Sequence, residues 1–365
     1  MLQFMSSKTD LHYQFLTNNL KTIVSFKDRF PNRSLQSSNQ IMIFDDNTSR
    51  LFGKNVTNSI IIKDRDSAKC WNSIEDIFTI AVKRGLDRKA EIIGIGGGAV
   101  CDVAGFAAAL YLRGIKLTLI PTTVTAMVDA SFGGKTGINY KNSKNIIGVF
   151  KPADNIFIVP SVVKYLTGED YLAGLAEVIK TALLGDTELV NILEKERDAV
   201  INRDLQLVKT YVHRCIKVKA RFVTGDMQEE ISDQNTVGGI SRSYLNFGHT
   251  FAHALESVSG FTWSHGKAVA WGILRALRLG ELIGITDKSY VIRVKDLLRQ
   301  YGYEITANYD PDKLLAAMRN DKKRVGTNLF FILQSSIGKT QLRSVPENLV
   351  RQSLIEDMKS ADKNP

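Results

Sequence analysis

The chain has little cysteine: Cys70, Cys101 and Cys215 are odd in number, far apart, and form no Cys-x-x-Cys. That excludes a disulfide framework and a thiolate zinc site, and it favours a reducing, cytoplasmic setting. Long apolar runs are missing too. No stretch approaches the ~18–20 residues needed to span a bilayer, so no membrane association is expected. Met1-Leu2-Gln3-Phe4-Met5-Ser6-Ser7-Lys8 has no basic region followed by an apolar core, and no secretory leader is expected. The formal charge of +10 is dispersed, without a dense Lys/Arg run or a basic stripe interleaved with aromatics. Nucleic acid is therefore not an expected partner, whereas a small polyanionic substrate explains the same excess. There is no internal repeat.

Histidine is also scarce, which makes its distribution informative. Of five histidines, His249, His253 and His265 crowd into one short region. On a helix His249 and His253 share a face. Neutral imidazole is the commonest zinc ligand, and a catalytic zinc takes three protein ligands plus an open position. Two core histidines and a loop histidine would give the same spacing. In Ala176-Glu177-Val178-Ile179-Lys180, Glu177 and Lys180 are neighbours on an apolar helix. They could form a surface ion pair of little energetic weight. Alternatively, Glu177 supplies the anionic third ligand beside His249 and His265, and Lys180 orients a substrate oxygen.

At 365 residues the chain exceeds the usual single core, so two domains are expected. Apolar runs at Ile41–Phe44, Ile60–Ile62, Ile92–Ile95, Leu117–Ile120 and Ile156–Val159 alternate with helical stretches such as Trp71–Arg84 and Ala99–Arg113. This pattern predicts a parallel sheet covered on both faces over residues 1–166. From 167 to 365 helical spacing dominates: Glu169–Leu184, Asp186–Thr224, Gly248–Ser259, Gly266–Ile283 and Lys288–Tyr301. The fold class is an α/β N-terminal nucleotide-binding domain followed by an all-α C-terminal metal and substrate domain. The exception is a short strand pair at Leu329–Leu333 and Thr340–Ser344, turned through Gly338.

Gly94-Ile95-Gly96-Gly97-Gly98-Ala99 follows an apolar strand and opens a helix, the setting in which backbone N–H groups bind a pyrophosphate. No acidic residue stands about 20 positions on to bind a ribose, so this is not an ordinary dinucleotide fingerprint. Gly133-Gly134-Lys135-Thr136 resembles the end of a P-loop, but Asp129 occupies the place of its first glycine, and a P-loop is rejected. Lys135 remains suited to an anion, with Asn139, Lys144 and Asn145 as further donors. A solvated basic loop is the plain alternative for this segment.

Taken in order, several segments resemble the 3-dehydroquinate synthases, within the sugar phosphate cyclases. They are Gly96-Gly97-Gly98-Ala99-Val100-Cys101-Asp102, Leu112-Arg113-Gly114, Pro121-Thr122-Thr123, Asp129-Ala130-Ser131-Phe132-Gly133-Gly134-Lys135-Thr136, Ser143-Lys144-Asn145, Gly174-Leu175-Ala176-Glu177, Leu245-Asn246-Phe247-Gly248-His249-Thr250 and His265-Gly266. The resemblance runs from about Ile41 to Gly338. It implies a cytoplasmic homodimer that uses NAD and zinc, with cobalt as an alternative metal. The implied substrate is a phosphorylated sugar acid, 3-deoxy-D-arabino-heptulosonate 7-phosphate. The implied products are 3-dehydroquinate and phosphate, formed in the shikimate route to aromatic amino acids by transient oxidation, phosphate elimination, reduction, ring opening and aldol closure.

By position, the resemblance makes Glu177, His249 and His265 the metal ligands. Gly96, Gly97, Gly98, Asp102, Thr122, Thr123 and Lys144 become NAD contacts, with Asp45, Asp66 and Lys69 on the adenosine side. Lys135, Asn145, His253 and Lys322 or Lys323 surround the substrate phosphate, and Arg113 is lent across the dimer interface. Arg242 and Lys219 serve the carboxylate and ring hydroxyls, and Asp129, Lys180 and Asn246 complete the ring contacts. Extra residues around Glu230–Gly239, rich in Gly, Asp, Ser and Asn, are expected to lengthen a loop. Two rivals remain: another sugar phosphate cyclase, whose substrate lacks the carboxylate that Arg242 would bind, and a metal-dependent alcohol dehydrogenase of the glycerol dehydrogenase type, which would form NADH.

Overall fold

The computed structural model describes residues 2–6, 11–17, 20–31, 37–54, 56–63, 65–141, 143–226, 228–229, 241–320, 324–325 and 328–361. The chain divides into two compact units, Met1–Tyr171 and Leu172–Pro365.

The first unit is organised by an eight-stranded sheet. Three N-terminal strands, β1 (Leu2–Ser6), β2 (Leu11–Thr17) and β3 (Leu20–Phe26), form an antiparallel meander. Beyond β3 the strands run parallel, in the order β10 (Asn155–Ile158), β7 (Lys116–Pro121), β6 (Glu91–Gly96), β4 (Gln40–Asp45) and β5 (Ser59–Ile62). Each expected apolar run is one of these parallel strands. Ile41, Ile43, Ile92, Ile93, Ile95, Leu117 and Ile120 are buried, as a sheet covered on both faces requires. The helices of this unit are α1 (Asp46–Phe52), α2 (Trp71–Lys83) and α3 (Gly98–Leu110). The segment that carries Lys135, Asn139, Lys144 and Asn145, for which a solvated basic loop was the plain alternative, is a hairpin, β8 (Lys135–Tyr140) and β9 (Ser143–Phe150).

The second unit is mainly helical. Its helices are α4 (Gly168–Gly185, which begins in the first unit), α5 (Thr187–Lys195), α6 (Arg197–Ile201), α7 (Leu205–Gly225), α8 (His249–Val258), α9 (His265–Leu282), α10 (Lys288–Gln300), α11 (Pro311–Asn320) and α12 (Glu347–Ala361). The long helical stretch expected over Asp186–Thr224 is three helices. Asp186 and Asp204 accept backbone N–H groups as N-caps of α5 and α7, and Arg203 takes a left-handed φ of 61°. The unit is not all-α: β11 (Arg324–Val325), β12 (Asn328–Ser336) and β13 (Lys339–Pro346) form a sheet that contains the expected strand pair and its turn at Gly338. Among the described residues, no helix is long and apolar enough to cross a membrane.

Helix α9 is the core of this unit, with Ala268 to Leu277 buried without a break. Two close approaches fix its N-terminus. A Cβ on Gly266 would lie 2.2 Å from Ala173 Cα, and one on Gly272 would lie 2.3 Å from Gly248 O. Gly248 itself has φ of 80°, a conformation that favours glycine. These contacts pack α9 directly against α4 and against the start of α8, bringing the residues after Gly248 and before Gly266 towards Glu177.

Candidate active site

Glu177, His249 and His265 converge in the second unit. One ligand atom from each lies within 4.8 Å of the others. His265 Nε2 is 3.3 Å and His249 Nε2 3.6 Å from Glu177 Oε1. A tetrahedral ion with bonds of ~2.0–2.1 Å has ligand atoms about 3.3 Å apart, so small movements would seat zinc. The Glu177 side chain is fully buried, that of His249 is 12% exposed and that of His265 42% exposed. Neither oxygen of Glu177 has a well-directed hydrogen bond. Such a buried carboxylate needs a cation, and Lys180 Nζ lies 2.5 Å from its Oε2. The donor chemistry, two imidazoles and a carboxylate, suits a catalytic zinc.

The electrostatics agree. Burial opposes ionisation of Glu177, but the Lys180 ammonium, the His265 contact and the field of His249 hold its carboxyl well below the usual carboxylate range. Burial, with the Lys180 charge behind it, pushes His249 down to about 3, so its ring is a neutral, metal-ready base. At His265 burial acts in the same direction, yet the close carboxylates of Glu177 and Glu256 prevail and raise it to about 10. His253 stands on the same helix, its ring 5.4 Å from that of His249 and 6.4 Å from that of His265, outside the ligand set.

Arg242 and Asn246 bound a single helical turn that leads into Phe247 and Gly248. Helix α7 packs on this turn, with Phe222 edge-on to Tyr244. Arg242 is 2% exposed and Lys219, on α7, 6% exposed. Asp226, just past α7, accepts the Arg242 backbone N–H at 3.0 Å, and Asn246 Nδ2 donates to Glu229 Oε1 at 3.1 Å. Lys322, Lys323 and the extra residues around Glu230–Gly239 lie outside the described residues.

In the first unit, β6 delivers Gly96, Gly97 and Gly98 to the N-terminus of α3. Gly97 occupies the N-cap, where no side chain bonds the helix. A Cβ on Gly96 would lie 2.4 Å from Val100 Cγ2 and 3.1 Å from Asp45 Oδ2, so Asp45 and the glycine turn face each other closely. Thr122 donates its backbone N–H to Gly96 O at 2.9 Å, and Thr123 Oγ1 accepts the Ala126 N–H at 3.1 Å. This bare helix start with small neighbours fits a dinucleotide pyrophosphate.

Beside it, Lys69 Nζ donates to Asp102 Oδ2 at 2.5 Å and to Asn145 Oδ1. Asn145 was expected with the phosphate contacts; here it accepts from Lys69, the same ammonium that donates to Asp102. Its own N–H donates to Asn139 Oδ1, and the Asn139 N–H to Lys69 O, which docks the hairpin tip on this segment. Burial raises the Asp102 carboxyl; Lys69 opposes this, and the charges of Asp129 and Asp66 add to it. Lys144 Nζ is 2.9 Å from Asp66 Oδ2. Lys135 and Arg113 are exposed, and Arg113 adopts φ of 68°.

Sequence reasoning missed Glu256, whose Oε2 lies 3.4 Å from His265 Nδ1, along with Asp226 and Glu229. The signal for Glu256 was its place on the His249/His253 helix, three positions after His253.

A glycine-cradled parallel sheet followed by a helical unit is a fold with solved counterparts. The fold is shared with 2-deoxy-scyllo-inosose synthase complexed with carbaglucose-6-phosphate, NAD+ and Co2+ (TM-score 0.82, 23% identity, covering 95% of this chain and 100% of that one). It is shared too with 2-epi-5-epi-valiolone synthase of Streptomyces hygroscopicus with NAD+ and Zn2+ bound (TM-score 0.80, 23% identity, 92% and 96% covered). Residues 59–173 match the 3-dehydroquinate synthase N-terminal family and residues 174–324 the 3-dehydroquinate synthase C-terminal family. The chain is similar to the 3-dehydroquinate synthases of Dictyoglomus thermophilum (36% identity, 81% of each chain) and Corynebacterium jeikeium (38% identity, 80% of this chain and 77% of that one). The chain belongs to the 3-dehydroquinate synthase family.

Proposed function

We propose that the protein converts 3-deoxy-D-arabino-heptulosonate 7-phosphate to 3-dehydroquinate and phosphate, as an NAD- and zinc-dependent lyase of the shikimate route. The observation that carries this reading is the convergence of Glu177, His249 and His265 beside Lys180. When bound, zinc would supply Lewis acidity to a substrate hydroxyl and NAD would accept and return a hydride, with no net change in either.

The protein's own residues orient and neutralise the substrate. Lys180, held by Glu177, donates to a ring oxygen. Arg242 takes the substrate carboxylate, a task suited to a guanidinium's paired donors. Lys219, Asn246 and Asp129 hold ring hydroxyls. His253, Lys135, Lys322 and Lys323 face the phosphate, which itself takes the proton lost during elimination. Asn145 serves that phosphate, or the cofactor side through Lys69. Asp45, Asp66, Lys69, Asp102, Thr122, Thr123, Lys144 and the Gly96–Gly98 turn hold NAD.

The working form is a cytoplasmic homodimer. Strand β9 supports a dimer: Ile146, Val149 and Phe150 are 37%, 37% and 42% exposed. Arg113 lines one open cleft with Val149, Phe150 and Lys151, which fits an arginine lent to a second copy. The test of function is to incubate purified protein with the seven-carbon phosphate, NAD and zinc. Phosphate and carbocycle should appear in equal amounts without NADH. Net NADH would point to an alcohol dehydrogenase instead, and turnover only of a carboxylate-free sugar phosphate to another cyclase.

A further inference from the structure

Glu256 is a buried carboxylate at the metal-ligand cluster with no part in the reaction proposed above. It is 5% exposed, on the α8 face that carries His253. Its Oε2 lies 3.4 Å from His265 Nδ1, while Nε2 of the same ring lies 3.3 Å from Glu177 Oε1. One imidazole thus spans two carboxylates, one at each nitrogen. A ring that binds metal must offer a lone pair at one nitrogen and keep its proton at the other. An acceptor at the second nitrogen fixes that tautomer, sets the ring's angle and raises its basicity.

His249 meets this requirement through the backbone, with the Phe247 carbonyl 3.3 Å from its Nδ1. His265 has less support from its surroundings. It begins α9, its side chain is 42% exposed, and Phe261 shortly before it takes φ of 62°. Burial alone does not hold that ring.

We infer that Glu256 is a positioning residue: it accepts the His265 Nδ1–H and thereby turns Nε2 towards Glu177 and His249 as a metal ligand. This rests on the reading of Glu177, His249 and His265 as ligands. Glu256 also links the two helices that carry the imidazoles, so the distance between the ligands depends on it.

The experiment compares wild type with Glu256→Ala and the isosteric Glu256→Gln. Zinc affinity is measured by chelator competition, and the Co2+-loaded proteins by their visible absorption. Ala should weaken zinc by ~10–100-fold and shift the Co2+ band. Gln should lose less, because its carboxamide oxygen still accepts from Nδ1–H without the charge. NAD affinity should stay unchanged in both. If instead both variants lower the melting temperature of metal-free protein yet keep zinc affinity and the Co2+ band of wild type, Glu256 is only a strut between helices and the inference fails. Wild type that binds zinc while Ala binds it equally overturns this inference alone. Wild type that binds no zinc overturns it together with the ligand reading.

Discussion

Lys180 Nζ lies 2.5 Å from Glu177 Oε2, and the two side chains are 2% and 0% exposed. One turn of α4 thus carries a fully buried ion pair whose carboxylate also faces two imidazoles. Removing the lysine leaves an uncompensated charge, which costs roughly 3–5 kcal/mol in a buried site. Lys180→Met should therefore melt markedly lower than wild type in the metal-free form. Zinc should recover much of the loss, because it restores a cation beside Glu177. Far-UV circular dichroism and NAD affinity should be retained, while turnover falls by about 10²-fold or more, within the range of positioned proton donors. Unchanged turnover would remove Lys180 from the proposed chemistry.

Arg242 has a 2% exposed side chain, and its backbone is tied to Asp226 at 3.0 Å. Burial limits the freedom of this side chain, and the paired donors of a guanidinium match a planar carboxylate. Arg242→Ala should raise KM for the seven-carbon substrate by roughly 30-fold or more, since losing one partner of a buried charged contact costs ~2–5 kcal/mol. The comparison that decides is a substrate analogue lacking the carboxylate. Wild type should discriminate against it and the variant should not. Equal rates on both substrates in wild type would sink the carboxylate role.

Several features were legible in the sequence for definite physical reasons. Parallel strands covered on both faces must be continuously apolar, so Ile92-Ile93-Gly94-Ile95 and Leu117-Thr118-Leu119-Ile120 stood out. The hairpin β8–β9 was hidden because almost all of β9 is exposed and only Gly137 and Ile138 of β8 are buried, leaving a composition like that of a basic loop. Strand β2, Leu11-His12-Tyr13-Gln14-Phe15-Leu16-Thr17, does alternate, but no neighbouring helix pattern marked it as part of a sheet. The breaks at Glu196 and Arg203 went unseen because apolar spacing continues across them; the capping aspartates were the available sign.

The site shows the same division. Glu177, His249 and His265 carry chemistry that their residue types disclose. Glu256 looks like any helical glutamate until His265 is folded beside it. Asn145 and Lys69 are 76 positions apart, and only the docking of the hairpin tip brings them together.

Gly96→Ala isolates the nucleotide turn from the metal site. The added methyl would lie 2.4 Å from Val100 Cγ2 and 2.6 Å from Val100 Cβ, a branched side chain held in the first turn of α3. Overpacking of this kind costs about 1–3 kcal/mol and shifts the backbone that would face the pyrophosphate. NAD affinity, read by fluorescence titration, should fall about tenfold or more. Zinc stoichiometry, set by the other unit's residues, should remain that of wild type. An unaltered NAD affinity would mean that the cofactor does not approach this turn.

His213 on α7 gives the second unit a specific sensitivity to acid. Burial, reinforced by the nearby Lys217 and Arg214 charges, lowers its pKa to about 4, against an ordinary value of 6.5. The native state thus favours the neutral ring, and the unfolded chain binds a proton that the native state refuses. This contribution to stability is complete above pH ~6.5 and is lost as pH falls towards 4. Thermal melting should shift downward between pH 7 and pH 5. His213→Gln, which cannot take up the proton, should show a shallower decline over the same interval while keeping wild-type zinc and NAD affinities. Parallel melting curves for variant and wild type across that interval would assign the acid sensitivity to other groups.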